Sequence, residues 1–462
     1  MVKYIGSKRK LVPLIQSVIG TLSGVREVVD LFSGTSRVGH GLKSLGYAVN
    51  ANDINRYAHV LATCYVQADR EEVERNARSL LQRYSRLPGR EGYFTGTFCR
   101  ESRFFQPRNG ARVDAIRDAI AADDLDPELE AVVLTSLMEA ADRVDSTTGV
   151  QMAYLKKWAP RASNDLELRM PAVLPQATHG KGQAYQMDAL EAAPRLTGDV
   201  AYLDPPYNQH KYLGNYHIWE TLARWDAPEP YGVARKRVDC RERKSPFNSK
   251  PRIHAAMRRV VEALDVRHLV VSFSDEGYIS KNEMVEILSA RGNVHVLARE
   301  YDRYVGAQIG IHNLDGERVG EVSHLTNTEY IYVVPEKGTD FKMAHHAPVA
   351  IPSASSQTPQ LQPVSERTAS RPARALDDAL LDLLSSHGSL TNRVARQALG
   401  TDSAETRASF KRLIESGNAY KTGRRRGTVY HLSRPRDSDA VPSTPDGRSS
   451  LSAEESQLSM FS

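Results

Sequence analysis

Cysteine is scarce in this sequence. Three occur in 462 residues, Cys64, Cys99 and Cys240, far apart and with no CxxC pair. That spacing argues against a zinc site built on cysteines and against a disulfide framework, and it fits a reducing cytoplasm. None of the three sits in a recognisable nucleophile context, and no metal site is implied. Long apolar runs are missing too, since none reaches the ~18–20 residues that a membrane span requires. The opening MVKYIGSKRKL has charge but no apolar stretch before a cleavage site, so it does not read as a secretory signal.

What remains is the composition of an ordinary soluble protein. With 40% hydrophobic and 25% charged residues, the chain can bury a large core, and 462 residues suggest two or three domains. The net charge of +5 decides little, but its distribution is uneven. Between Tyr231 and Arg259 there are ten Lys/Arg against two acids, Asp239 and Glu242. A stretch containing Arg235, Lys236, Arg237, Arg241, Arg243 and Lys244, with Tyr231 and Phe247 close by, suits a phosphate backbone.

The pattern of the first ~60 residues predicts an entry helix followed by strand, loop, helix and strand. Val25 to Phe32 is β-rich and ends in Ser33-Gly34-Thr35-Ser36; a helix follows from Arg37 to Leu45, capped by Gly46, and the next strand, Tyr47 to Ala51, ends near Asp53. This βαβ opening predicts an α/β fold with a parallel sheet. From about Tyr57 to Thr178 the character turns helical, with Arg70–Arg86 and Arg112–Arg143 the clearest stretches. Strand patterns resume at Asp199–Leu203, Leu269–Phe273, Val294–Leu297 and Glu329–Val334, and the glycines 306, 310, 316 and 320 mark loops or a hairpin between the last two.

Residues 339–374 form a linker by composition, with five prolines and five serines between Ala344 and Pro372. Beyond it, three helical patterns (Leu376–Ser386, Thr391–Leu399 and Ser403–Ser416) precede a β-like end, Ala419–Leu432. Thr391 and Asp402 suit N-caps. Three helices and a hairpin carrying Arg424, Arg425 and Arg426 resemble a winged helix-turn-helix over 375–433, with a polar, disordered tail at 434–462.

The most specific motif is Asp204-Pro205-Pro206-Tyr207, directly after the apolar Val200-Ala201-Tyr202-Leu203. Ligands of open α/β sheets bind beyond the carboxyl ends of the strands, where this tetrapeptide falls. Two prolines fix φ and remove two amide donors, which leaves carbonyl acceptors, a carboxylate and an aromatic ring on a stiff loop. Those groups suit an exocyclic amine. Acceptors from Asp204 and the Pro205 carbonyl would localise the lone pair of a delocalised amino nitrogen, and Tyr207 would stack on an extruded base.

A second motif, Asp30-Leu31-Phe32-Ser33-Gly34-Thr35-Ser36, ends a strand in small residues that let a nucleoside-type cofactor approach. It is not GxGxxG. Asp53, nineteen residues after Gly34, is placed at the end of the next strand to accept both hydroxyls of a ribose. A third segment, Lys3-Tyr4-Ile5-Gly6-Ser7-Lys8-Arg9-Lys10, puts an aromatic and lysines around a Gly-Ser turn that could close over a carboxylate-bearing cofactor.

In this order the three segments resemble the Dam-like DNA adenine-N6 methyltransferases over about Met1 to Val334. The resemblance implies a Rossmann-like S-adenosylmethionine-dependent domain formed by 1–60 and 179–338, split by a helical target-recognition insert at 61–178. It implies cofactor contacts at Tyr4, Lys8, Phe32, Ser33, Gly34, Thr35, Asp53 and Asp204, and Asp188 meeting the cofactor adenine. Asp204, Pro205, Pro206 and Tyr207 become the catalytic loop. Where the family pattern reads F-x-G-x-G, Ser36 takes the second glycine position, and Tyr4 stands where several relatives have Trp and preserves a stacking face. His210, His217 and Trp219 follow the loop and either shape a base pocket or pack a helix behind it.

The expected activity is methyl transfer from S-adenosylmethionine to adenine N6 at a short sequence in duplex DNA, in a bacterial or phage cytoplasm, with a restriction endonuclease as a possible partner. Cytosine N4, RNA adenine and a protein glutamine are the alternative acceptors, and a non-enzymatic DNA-binding regulator is the alternative of a different class.

Overall fold

A computed structural model describes residues 1–302, 311–312, 318–320, 326–339, 341, 373–387, 389–391, 395, 399, 403–416, 418–422 and 429–432. The chain divides into two units, Met1–Pro352 and Ser353–Ser462.

The first unit is built on a seven-stranded sheet. In chain order its strands are β1 (Glu27–Asp30), β2 (Ala48–Asn52), β3 (Gln183–Tyr185), β4 (Val200–Leu203), β5 (His268–Ser274), β6 (His295–Asp302) and β7 (Thr326–Val334). Their order across the sheet is β3-β2-β1-β4-β5-β7-β6. Strands β3, β2, β1, β4 and β5 are mutually parallel, and β7 runs antiparallel to both β5 and β6. The order reverses between β1 and β4, and in open α/β sheets the binding crevice lies at such a switch point.

The strands read as continuous apolar runs because both faces are covered. Val28, Val200, Tyr202, Val270, Ile331 and Val333 pack against helices Val12–Gly20 and Arg37–Ser44. The alternate residues Val29, Ala201, Leu203, Leu269, Val271 and Tyr332 pack against helices Ile253–Ala263 and Lys281–Ser289.

Between β2 and β3 the chain is helical, with Arg56–Ala62, Arg70–Ser85, Pro107–Ala122 and Pro127–Arg143 the principal helices. The expected single helix Arg112–Arg143 is two. The chain turns through Asp124 at φ +47° and restarts with Asp126 capping the Glu128 amide and Pro127 in the first turn. Pro127 has no amide to donate and cannot continue the preceding helix. The three-residue edge strand β3 is too short to leave an alternation in the sequence. The glycine-rich segment does contain a hairpin pair, Ile311–His312 antiparallel to Arg318–Gly320.

Helix His217–Arg224, which follows the Asp-Pro-Pro-Tyr loop, shares a core with the helices between β2 and β3, through Ile218, Trp219 and Leu222. Trp219 is fully buried. His217 is buried as well, with Nε2 at 3.0 Å from the Gln151 carbonyl, and burial drives its pKa down to about 3. Both residues therefore pack a helix behind the loop and shape no pocket, whereas His210 is exposed.

The second unit has helices Ala373–His387 and Ser403–Glu415 and a three-stranded antiparallel sheet in which Val429–Leu432 lies between Ser389–Thr391 and Ala419–Thr422. Leu380, Leu384, Leu390, Phe410 and Leu413 form its core. Thr391, expected as an N-cap, ends a strand instead and pairs with Val429. Arg424, Arg425 and Arg426, the expected N-cap Asp402, most of the linker and the tail after Leu432 lie outside the described residues. No helix among the described residues is long and apolar enough to cross a membrane.

Candidate active site

A cavity of about 540 Å³ opens at the carboxyl ends of β1, β2 and β4. Its lining brings together three segments far apart in sequence: Tyr4 and Lys8; Asp30 through Thr35 with Asp53; and Asp204 with Pro206. Asp188 also lines it, and so do Arg243 and Lys244 from the basic stretch. Pro205 is buried and Tyr207 half-buried, and neither lines the cavity. The Tyr207 ring lies edge-on to Phe273 with centroids 6.0 Å apart.

The small-residue loop after β1 folds back on itself. The Gly34 amide donates to Asp53 Oδ2 at 3.1 Å, and the Asn55 amide donates to Asp53 Oδ1 at 2.9 Å. Gly34 sits at φ +52°, a left-handed conformation that glycine adopts without the Cβ penalty, while a Cβ there would make only ordinary contact with the Tyr4 ring. Ser36 also adopts a left-handed conformation, φ +55°, at the start of helix Arg37–Ser44. That explains the family's preference for glycine at this position, and the serine carries a strain of about 1 kcal/mol.

Tyr4 packs against other rings of the chain. Its ring is stacked on both faces, against Tyr216 at 4.5 Å and 12° and against Tyr212 at 5.2 Å and 8°. Tyr4 lines the cavity, and its stacking partners in this structure are two tyrosines of the chain itself. Tyr4 presents an edge to Gly34 and places its hydroxyl 3.1 Å from that of Tyr57. This three-ring stack ties the N-terminal segment to the chain after the Asp-Pro-Pro-Tyr loop. Tyr212, Tyr216 and Tyr57 carry no pattern in the sequence that marks them.

Four charged groups dominate the electrostatics. Burial raises the Asp53 carboxyl to about 6, against the lowering effect of its amide donors. Asp204 is also raised to about 6, by burial first, with Lys8 opposing and Glu329 reinforcing the shift. Burial would lower the pKa of Lys8, but Asp204 at 3.0 Å and Glu329 at 2.5 Å outweigh it and hold the ammonium well above its ordinary value. Asp30 is raised to about 8, by burial and then by the charges of Asp204 and Asp53. Neither buried Asp30 carboxylate oxygen has a well-formed hydrogen bond, and the nearby Gly39 amide only partly opposes the rise. Sequence reasoning places Asp30 in the motif without giving it a role. The signal that could have found it is an acid at the last position of a buried strand.

This donor set suits a cation that carries a sugar and an amino acid. Asp53 Oδ1 already accepts from both Asn55 nitrogens, which leaves acceptor room on Oδ2 beside the Gly34 amide; Lys8 is positive, and Asp30 and Asp204 are carboxyls on the cavity wall. Asp188 already accepts from the Leu190 amide at 2.9 Å as the cap of helix Ala189–Ala192, which leaves its second oxygen toward the cavity.

The family model of the D12 class N6 adenine-specific DNA methyltransferases matches residues 4–287. The chain belongs to that family. It is an enzyme that methylates adenine in DNA at specific sites, and the family uses S-adenosylmethionine. It is 32% identical over 313 residues to the type II methyltransferase M.NlaIII of Neisseria lactamica, covering 65% of this chain and 92% of that protein. It is 30% identical over 321 residues to the modification methylase StsI of Streptococcus sanguinis and 31% identical over 318 residues to M.FokI of Planomicrobium okeanokoites. The matched region is 65% and 63% of this chain, and about half of those two longer methylases, 48% and 47%.

One residue of the basic stretch is corrected by the methylase's structure. Arg237 is 3% exposed, and its guanidinium is spread over Asp226, with both hydrogen bonds at 2.7 Å, and Asp239, at 3.1 Å. It holds the fold together and has no face for a phosphate. Arg235 pairs with Glu101 at 3.2 Å. Arg241 lies over the Tyr231 ring at 3.8 Å and is exposed, as is Lys244.

The buried Asp30 sets one testable consequence. Its folded pKa of about 8 lies above the ordinary carboxylate value of 3.8, so folding disfavours the ionised form. That penalty is absent below about pH 4, grows between the two values and is complete above about pH 8. Asp30→Asn is expected to raise the unfolding temperature, most at alkaline pH, and to weaken cofactor binding. A thermal unfolding series over pH, in which the gain disappears toward pH 4, checks it.

Proposed function

We propose that the cavity is the S-adenosylmethionine site and that the Asp204–Tyr207 loop presents an extruded adenine to it. The observation that carries this reading is the convergence of Lys8, Asp30, Asp53 and Asp204 on one cavity at the sheet's switch point. When bound, S-adenosylmethionine supplies an electrophilic methyl group on a sulfonium. Asp53 accepts the ribose hydroxyls, Asp188 reads the cofactor's adenine, and Lys8 with Asp30 faces its amino-acid end. Phe32, Ser33, Gly34 and Thr35 give the close backbone approach.

Asp204 and the Pro205 carbonyl accept the two N6 hydrogens, which localises the nitrogen lone pair. Pro206 stiffens the loop, and Tyr207, half-buried beside the cavity, turns from Phe273 to stack on the base. Transfer is direct and in line, so the residues act by positioning and by excluding water. To accept from the amine the Asp204 carboxyl must be ionised, as it is above about pH 6.

The helices between β2 and β3 serve as the target-recognition insert within 61–178, and Lys236, Arg241, Arg243 and Lys244 hold the phosphate backbone of duplex DNA. Within the second unit, residues 375–433 form a winged-helix-like module. Because the relatives are named type II methyltransferases and modification methylases, a partnership with a restriction endonuclease is part of the proposal.

The deciding experiment is methylation-aware sequencing of an unmethylated plasmid incubated with the purified protein and S-adenosylmethionine, beside Asp204→Ala. N6-methyladenine at one short motif supports the reading, whereas N4-methylcytosine overturns the acceptor. The basic stretch has its own test. Neutralising Arg241 and Lys244 is expected to weaken plasmid binding and to lower the salt slope by about 0.9 for each phosphate left without its cation. An unchanged slope assigns both residues to the solvated surface.

A further inference from the structure

Glu329 lies on β7, beyond the 4–287 stretch that the family model matches, and no motif marks it. It is a carboxylate only 1% exposed in the middle of its strand, where the polar Thr326–Thr328 give way to the buried Ile331–Val334. A carboxylate so placed is costly unless it is paired. Among the described residues its partners include Lys8 Nζ, at 2.5 Å, and the Ser272 hydroxyl, which donates to the same Oε1.

Strand register explains the cluster. Side chains alternate with a period of two, so the face that buries Val28, Tyr202, Val270 and Ile331 also presents Asp30, Asp204, Ser272 and Glu329. Lys8 comes down onto that face from the entry turn and bridges two acids, Asp204 at 3.0 Å and Glu329. We propose that Glu329 is a positioning residue for methyl transfer. It draws the Lys8 ammonium away from Asp204 far enough that the Asp204 carboxylate keeps lone pairs free for the cavity.

Among the described residues Lys8 forms ion pairs with these two acids alone. With Glu329 neutral, the ammonium would settle wholly on Asp204 and compete with the adenine amine for its oxygens. Among the described residues, the groups facing Glu329 include Lys8 from the entry turn, Ser272 and Ser274 from β5, Tyr202 and Asp204 from β4, and Arg299, its register partner on β6. Asn327 and Ile331 flank it on the same face of its own strand. Of these, Lys8 alone is a buried cation, since Arg299 is exposed.

The inference rests on the assignment of Asp204 as the amine acceptor. Its test is the pH dependence of kcat for Glu329→Gln in the full chain, with unmethylated plasmid DNA and saturating S-adenosylmethionine, which removes effects that act through cofactor affinity at Asp53. The expected result is kcat lowered about tenfold and an acid limb moved to lower pH. Removing a repelling negative charge and removing a competitor for Lys8 both make Asp204 harder to protonate.

An acid limb that stays in place overturns the inference, whatever the rate, because a merely structural role has no reason to move it. Ser272→Ala gives a second variant should Glu329→Gln not fold. It removes the hydroxyl that fixes Glu329, and a few-fold lower kcat with an intact unfolding transition is expected, against no change if Glu329 does not position Lys8. Asp204→Ala, run alongside, separates the two assignments. If it keeps its turnover, the acceptor reading has failed; if it is inactive and the Glu329→Gln limb is unmoved, only the positioning role has.

Discussion

Asp204→Ala is expected to lose methyl transfer by at least about 10²-fold while plasmid binding and the unfolding temperature persist. In the proposed reading Asp204 accepts from the reacting amine, and the fold does not depend on its contacts. Its ion pair is with Lys8, and Lys8 keeps Glu329 after the substitution. Removing a carboxyl whose pKa is raised to about 6 by burial also removes a penalty on the folded state above that pH. The variant should therefore fold at least as well as the parent at pH 8. Asp204→Asn keeps the shape and one acceptor oxygen, and its activity should fall between the two. Turnover by Asp204→Ala within tenfold of the parent would remove Asp204 from the chemistry.

Arg237→Ala should behave in the opposite way and damage the fold first. The guanidinium is nearly fully buried and neutralises Asp226 and Asp239 together, with a further hydrogen bond to the Thr221 hydroxyl at 3.3 Å. Truncating it leaves two carboxylates facing one another without their cation. Breaking a buried pair of this kind costs about 3–5 kcal/mol, with the lower end expected because Asp226 is partly exposed. Chemical unfolding should report that destabilisation directly. The salt dependence of plasmid binding, measured on the folded fraction, should not change. A variant of unaltered stability with a reduced salt slope would return Arg237 to the phosphate-binding group.

These two residues mark the limits of sequence reading in opposite ways. Asp204 is legible because its neighbours constrain it. An apolar strand, two prolines and an aromatic permit few roles for a carboxylate between them. Arg237 is misleading in sequence because a charge run carries no record of which members are turned inward, and the acids that claim it, Asp226 and Asp239, look like ordinary surface residues. Tyr4 shows the same limit for a ring, since its position in the entry motif is evident but the two tyrosines that cover its faces lie over 200 residues later.

The sequence by itself determined four of the five parallel strands, all but the short edge strand β3, the turn at Gly34, the loop at Asp204 and hence the family, because each depends on local periodicity or on residues adjacent in the chain. Only the tertiary structure decided that helix Arg112–Arg143 is broken, that His217 and Trp219 are core, that Asp30 faces the cavity without a well-formed hydrogen bond, and that Lys8 stands between Asp204 and Glu329. The physical reason is distance along the chain. Charge pairing and ring stacking act over a few ångströms between segments that the sheet's crossover connections bring together, and no local pattern records which segments those will be.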